Sequence, residues 1–205
     1  MDYKFFQKVI VLILSSLLFV SCFKDVKPEG TYLVTDVIDV SGTINSHAYV
    51  DLGLPSGLKW ATCNVGADSP KEYGDYYAWG ETSTKSEYTE ENSLTNGKSM
   101  SDISGNSSYD VARKKWGSSW RLPTWSEFAE LIEECKWTWT TQNGKHGYKV
   151  TGPNGNSIFL PAAGFRYGSS LSGAGEFGYY WSSTPYGSTL GAYYLYFDSS
   201  YHYTD

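Results

Sequence analysis

The sequence predicts one α+β domain, in which two helices come first and short strands fill the C-terminal half. The clearest helical signal is an apolar stripe, because Phe128, Leu131 and Ile132 are spaced as on one face of a helix. The second half instead contains short segments that alternate in polarity or flank a cluster of turn residues, as strands do. An aromatic content of 17% with only 19% charged residues is typical of a folded chain.

Residues 1–21 have the pattern of a lipoprotein signal peptide. Lys4 and Lys8 precede an apolar stretch at 9–20, which is too short to cross a bilayer as a helix. A small residue then precedes Cys22, as in the motif at which bacterial lipoproteins are cleaved and acylated. We therefore expect lipidation at Cys22 and an anchored location in the cell envelope, at the outer membrane or cell surface. An ordinary signal peptide with a chance cysteine is the alternative.

The remaining chain divides into a connecting segment and a domain. Residues 22–47 are predicted to be a polar tether that ends in an edge strand or stays a linker, and residues 48–205 form the folded domain. Export would place Cys63 and Cys135 in an oxidising compartment, so these two are candidates for one disulfide. Two buried thiols are the alternative.

Two helices are predicted from their end signals. The longer one follows Thr124, which has Glu127 three residues later and so matches a capping box. The shorter helix runs from Tyr109 to Trp116, with Ser108 as its cap and Gly117 as its end.

Four strands are predicted in the C-terminal half. Segments 148–151 and 157–160 flank a Gly/Pro/Asn cluster and predict a hairpin, and segments 179–183 and 192–197 are two further strands. Residues 82–108 are rich in Ser, Thr, Asn and Gly and predict a surface loop. The side chains predicted to face the core from the last two strands are Trp181, Tyr193, Leu195 and Phe197.

Six short motifs within residues 48–205 together resemble the Fibrobacter succinogenes major paralogous domain family of exported bacterial proteins. Each motif is weak alone, but the combination is specific. The motifs are VDLGLPSG at 50–57, WATCNVGA at 60–67, YAWGE at 77–81, WRLPT at 120–124, FLPAAG at 159–164 and YWSS at 180–183.

This resemblance implies a C-type-lectin-like fold, distantly related to formylglycine-generating enzymes. The implied architecture is a twisted antiparallel sheet with two flanking helices, and ligand contacts come from the loops and the last strands. Domains of the family usually close with a strand that carries a Ser-Val-Arg-Pro-Val-like run, and this run is missing here. We therefore expect the final strand to be missing and one sheet edge to be open.

The sequence predicts no enzyme and no metal site. His47, His146 and His202 are far apart in the chain and match no metal-ligand spacing. They and Glu81 would be the candidates if the chain were catalytic. Calcium is the one ion that a lectin-like fold could hold, but the Glu-Pro-Asn and Trp-Asn-Asp runs of sugar-binding members are missing, so no cofactor is expected. A net charge of −6 without a basic stripe argues against nucleic acid.

The last 30 residues have the composition of a contact surface, with eight Tyr, five Ser and three Gly. Tyrosine offers a large amphipathic contact area at low entropic cost. Ordinary strand packing is the alternative, because Tyr favours strands. We expect a binding module for a glycan or a surface protein, or else a structural or adhesive envelope protein that assembles through its open sheet edge. The predicted contact residues are Tyr186, Tyr194, Tyr196, Asp198, Tyr201 and Tyr203.

Overall fold

The computed structural model describes residues 39–187 and 191–205. The predicted signal peptide, the lipidation site Cys22 and most of the predicted tether lie outside these residues. In the part of the chain that is described, no helix has both the length and the apolar character needed to cross a membrane.

The described residues form an α+β domain, as predicted, but its strands make four small antiparallel sheets and not one twisted sheet. Long loops and glycine turns separate the strands and keep each sheet short. The first sheet consists of β1 (Gly42–Ile44), β2 (His47–Asp51) and β3 (Lys59–Ala61). The second consists of β4 (Lys136–Gln142), β5 (Lys145–Thr151) and β6 (Ser157–Pro161). The others consist of β7 (Phe165–Tyr167) with β8 (Ser170–Ser172), and of β9 (Phe177–Pro185), β10 (Ala192–Asp198) and β11 (His202–Thr204).

The shorter helix, α1 (Val111–Trp116), begins two positions later than it would with a cap at Ser108, so the predicted cap is wrong. Asp110 is the N-cap and is fully buried. Its carboxylate accepts backbone hydrogen bonds from Arg113 at 3.0 Å, Gly105 at 2.8 Å and Leu122 at 2.9 Å. A carboxylate has enough lone pairs to accept from all three donors, whereas a serine hydroxyl does not. This explains why Asp110 caps the helix and Ser108 does not.

The longer helix, α2 (Trp125–Glu134), has the predicted capping box. Thr124 accepts from the backbone N–H of Glu127, and the Glu127 carboxylate accepts from the backbone N–H of Thr124 at 2.8 Å. The same carboxylate pairs with both terminal nitrogens of Arg121. The segment before the helix is therefore held against its first turn.

The main core joins α2 to the sheets. Leu52, which directly follows β2, Leu131 of α2, and Leu195 and Phe197 of β10 are all completely buried in one cluster. Burying side chains of this size stabilises the fold by about 1.5–3 kcal/mol each. The prediction that Leu195 and Phe197 face the core is confirmed.

Two other residues predicted for the core are not there. Trp181 remains 41% exposed, because it lies on the opposite side of β9 from the core. Tyr193 is half-buried, because the pairing of β9 with β10 shifts register between Ala192 and Tyr194. Such an irregularity turns a side chain away from its expected direction.

The predicted bridge between Cys63 and Cys135 is not formed, and both side chains are thiols. Cys135 ends α2 and packs against the main core, where burial raises the pKa of its thiol to about 11. Cys63 follows β3, and its sulfur lies 3.4 Å from the Thr62 hydroxyl. The two sulfurs therefore have different surroundings.

Two further predictions for the chain path, a loop and a hairpin, are confirmed by the structure. Residues 82–108 contain no helix or strand, only an isolated bridge from Tyr88 to Gly168. β5 and β6 form the predicted hairpin. β11 pairs with β10 on one side, and among the described strands none pairs with its other edge. This open edge is only three residues long.

Candidate functional site

The sheet of β9, β10 and β11 has one side packed on the core and one side covered with aromatic rings. Alternation along β9 and β10 sends every second side chain to the outer side, and most of these are aromatic. Tyr179 and Trp181 are 40% and 41% exposed, and Tyr203 on β11 is 40% exposed. We call this surface the aromatic face; it consists of Phe177, Tyr179, Trp181, Tyr194, Tyr196, Tyr201 and Tyr203.

The strand register brings the rings of the aromatic face together. Tyr196 lies opposite Tyr179 on one neighbour and Tyr203 on the other, with ring centroids 4.9 Å and 5.2 Å apart. Tyr194 lies opposite Trp181, and their centroids are 6.2 Å apart. Each such cross-strand pair contributes about 0.2–1 kcal/mol to the stability of a sheet. The rings thus form a continuous surface across three strands.

The inner side of the sheet sets which residues point outward. Gly178 lies opposite Phe197, and a Cβ atom at position 178 would come within 2.3 Å of the Phe197 ring. Tyr180 also points inward, and its hydroxyl donates to the Pro161 carbonyl at 2.6 Å. Because a slip by one residue would exchange the two sides, these inward contacts hold the aromatic face outward.

Two indole groups tie a loop to the edge of the sheet. Trp181 donates from Nε1 to the Tyr77 carbonyl at 3.1 Å, and Trp79 donates from Nε1 to the Ser182 carbonyl at 2.9 Å. Trp79 is buried, whereas the Trp181 side chain is 41% exposed. The exposed indole is therefore fixed in position before any ligand arrives, which lowers the cost of binding.

Glu81, the acidic residue of the YAWGE motif, is buried and holds the following loop. Its Oε1 accepts from the Lys85 ammonium at 2.7 Å and from the backbone N–H of Leu94 at 2.8 Å. Gly80 before it has φ +72°, and a Cβ atom there would come within 2.6 Å of Thr95. These contacts give Glu81 a structural part in the loop.

Asp198 organises the turn that leads into β11. Its Oδ1 accepts from the backbone N–H groups of Ser200 at 2.7 Å and Tyr201 at 3.2 Å, and the Tyr196 hydroxyl donates to Oδ2 at 3.2 Å. Burial and this bond to Asp198 raise the pKa of Tyr196 to about 12. Burial alone would raise the pKa of Asp198, but its hydrogen bonds outweigh burial and lower it. Asp198 is therefore ionised at neutral pH.

Five of the six predicted contact residues lie together, and Tyr186 lies apart from them. The ring of Tyr186 contacts Tyr193 at 5.1 Å, and Tyr193 contacts Trp125 of α2 at 5.4 Å. Three other residues of the face, Phe177, Tyr179 and Trp181, were not predicted as contact residues. A signal for them exists, because they alternate with Gly178, Tyr180 and Ser182 along β9.

Comparison with known proteins gives one match. Residues 132–205 match the model of a family described as a domain of unknown function, DUF8237. The matched segment contains the last three residues of α2 and all strands from β4 to β11, and so the whole aromatic face. Searches of curated proteins and of solved structures give no match to the chain.

A cleft of about 820 Å³ adjoins the aromatic face. Its lining includes Tyr179, Trp181 and Tyr194 of the face, together with Tyr77 and Arg166 from neighbouring segments. This volume is in the range of pockets that hold small ligands. Within residues 39–187 and 191–205, no group of three or more His, Cys, Asp or Glu side chains is arranged to hold a metal ion.

Proposed function

We propose that this protein is a non-catalytic binding module of the bacterial cell envelope and that the aromatic face holds a glycan. The observation that carries the proposal is the continuous row of exposed rings across β9, β10 and β11. Aromatic rings pack on the C–H surfaces of sugars, and tyrosine adds a hydroxyl for the sugar's own hydroxyls. Among the described residues, the hydroxyls of Tyr179, Tyr194 and Tyr203 form no hydrogen bond and are available to a ligand.

The fold assignment within this proposal is a C-type-lectin-like domain of the Fibrobacter succinogenes major paralogous domain family. The six sequence motifs support it, and so does the α+β architecture. In such a domain the last strands contact the ligand, and the last strands here carry the aromatic face. The pattern of residues 1–22 supports export and a lipid anchor, which would display the face outside the cell.

The alternative function, assembly through an open sheet edge, has weaker support. The edge formed by the last strand, β11, is three residues long. Short edge strands are one of the devices by which proteins avoid pairing with other chains. The seven residues of the aromatic face offer a larger contact area than this three-residue edge.

The test is thermal unfolding of the chain from residue 22, with Cys22→Ser, against a panel of purified glycans. A ligand at about a hundred times its Kd adds about 2.7 kcal/mol and raises the unfolding midpoint by several degrees. We expect one glycan class to give this shift, the double variant Tyr194→Ala/Tyr196→Ala to abolish it, and Tyr186→Ala to retain it.

Tyr186 is the matched control because it is an exposed tyrosine, at 46%, that lies outside the aromatic face. Equal loss of the shift in both variants would contradict binding at the face. A cooperative transition that no glycan shifts would contradict the glycan proposal and would favour a protein ligand.

A further inference from the structure

The aromatic face has acidic side chains at its border and no basic ones within it. Asp198 lies at the end of β10, and the backbone of Asp205 pairs with that of Tyr194 through two hydrogen bonds of 2.8 Å and 3.1 Å. Burial raises the pKa of Tyr194 and of Tyr203, and the charge of Asp205 adds to both effects. The charges that act on these rings are therefore negative.

Arg166, a basic residue that lines the cleft beside the face, is already engaged by other groups. Arg166 follows Phe165, whose ring contacts Tyr179 at 5.5 Å. The Arg166 guanidinium lies over the Tyr76 ring, 5.4 Å from its centre, and donates to the Ser169 carbonyl at 3.2 Å. None of the charges that shift the pKa of Tyr194, Tyr196 or Tyr203 comes from Lys or Arg.

The negative charge of Asp198 is held in place and extends over the face. Three hydrogen bonds fix its carboxylate, so it cannot turn away from an approaching anion. Two strand spacings make the face about 10 Å wide. The Debye length at 0.1 M salt is also about 10 Å, so the charge reaches across all three strands.

We propose that the aromatic face selects uncharged sugar chains and rejects sugar chains that carry carboxylates. This inference rests on the proposed function, because it concerns the ligand of the same face. Ring stacking is insensitive to the charge of the sugar, whereas a uronic acid bound on these rings would place its carboxylate near Asp198 or Asp205. The neighbouring Arg166 is already engaged with Tyr76 and Ser169 and so offsets this repulsion weakly. The length of the face from Phe177 to Trp181, four residue steps or about 13 Å, leaves room for more than one sugar ring.

The experiment compares sugar chains that differ only in charge. Calorimetry would measure the binding of β-1,4-linked gluco-, manno- and galacto-oligosaccharides and of the same oligosaccharides oxidised at C6 to uronic acids. At low ionic strength we expect any oligosaccharide that binds to do so about tenfold more tightly in its neutral form than in its oxidised form. Added salt should reduce this ratio, because it screens the repulsion.

Two charge variants locate the source of the selectivity. Asp198→Asn/Asp205→Asn removes two negative charges from the border of the face, and we expect it to lower the ratio of neutral-chain to oxidised-chain affinity several-fold. Glu133→Gln/Glu134→Gln is the matched control, because it removes two exposed negative charges from α2 and should change neither affinity.

Three outcomes would overturn the inference, and they are distinguishable. Oxidised chains that bind as tightly as neutral ones, with binding lost in Tyr194→Ala, would overturn the selectivity and leave the proposed function intact. An unchanged ratio in Asp198→Asn/Asp205→Asn would overturn the assignment of selectivity to these carboxylates. Binding of neither series would overturn the proposed glycan function and this inference with it.

Discussion

Gly178→Ala should destabilise the protein through one contact inside the sheet. The added Cβ would lie 2.3 Å from the Phe197 ring, well inside the ordinary contact distance, and Phe197 is completely buried. The ring or the strand must therefore shift by more than an ångström, and overpacking of this kind costs about 1–3 kcal/mol. Alanine has the better strand propensity by about 0.5–1 kcal/mol, so the net loss should be about 1–2 kcal/mol.

The assay is urea unfolding followed by tryptophan fluorescence, with the slope m compared between variants. A double-mutant cycle supplies the control, because Phe197→Leu removes the ring atoms that the new Cβ would meet. We expect Gly178→Ala/Phe197→Leu to lose less stability than the sum of the two single changes. Additive losses, or a Gly178→Ala variant as stable as the parent, would refute the assignment of Gly178 to the space beneath the ring.

Three further predictions concern buried polar groups. Burial lowers the pKa of His202 below its usual 6.5, so the unfolded chain binds the proton more readily than the folded protein. The free energy of unfolding should therefore fall as the pH drops below about 6.5. Urea titrations at pH 7.5 and pH 5 should show a smaller loss for His202→Phe than for the parent. Asp110→Ala leaves three backbone N–H groups without their acceptor and should cost about 3 kcal/mol by the same assay, whereas Asp110→Asn should cost less. Glu81→Ala should lower the unfolding midpoint by several degrees without changing glycan affinity, and a selective loss of affinity would show that Glu81 takes part in binding.

Local chemistry was enough to predict several elements from the sequence. The capping box of Thr124 and Glu127 and the β5–β6 hairpin depend on residues that are close in the chain. The inward direction of Leu195 and Phe197 follows from alternation in a single strand. The choice between Ser108 and Asp110 as helix cap was not local, because Gly105 and Leu122 supply two of the three donors to Asp110.

The sequence by itself determined that the chain is a folded α+β domain with a tyrosine-rich end. Only the tertiary structure decided that Trp181 is exposed, because that depends on which side of β9 meets the core and on the Tyr77 carbonyl that holds the indole. It also decided that Tyr179, Tyr196 and Tyr203 form one surface, because the register between three strands places their rings side by side. Side-chain direction within a strand is a local property, whereas neighbours across a sheet are set by packing between segments that are distant in the chain.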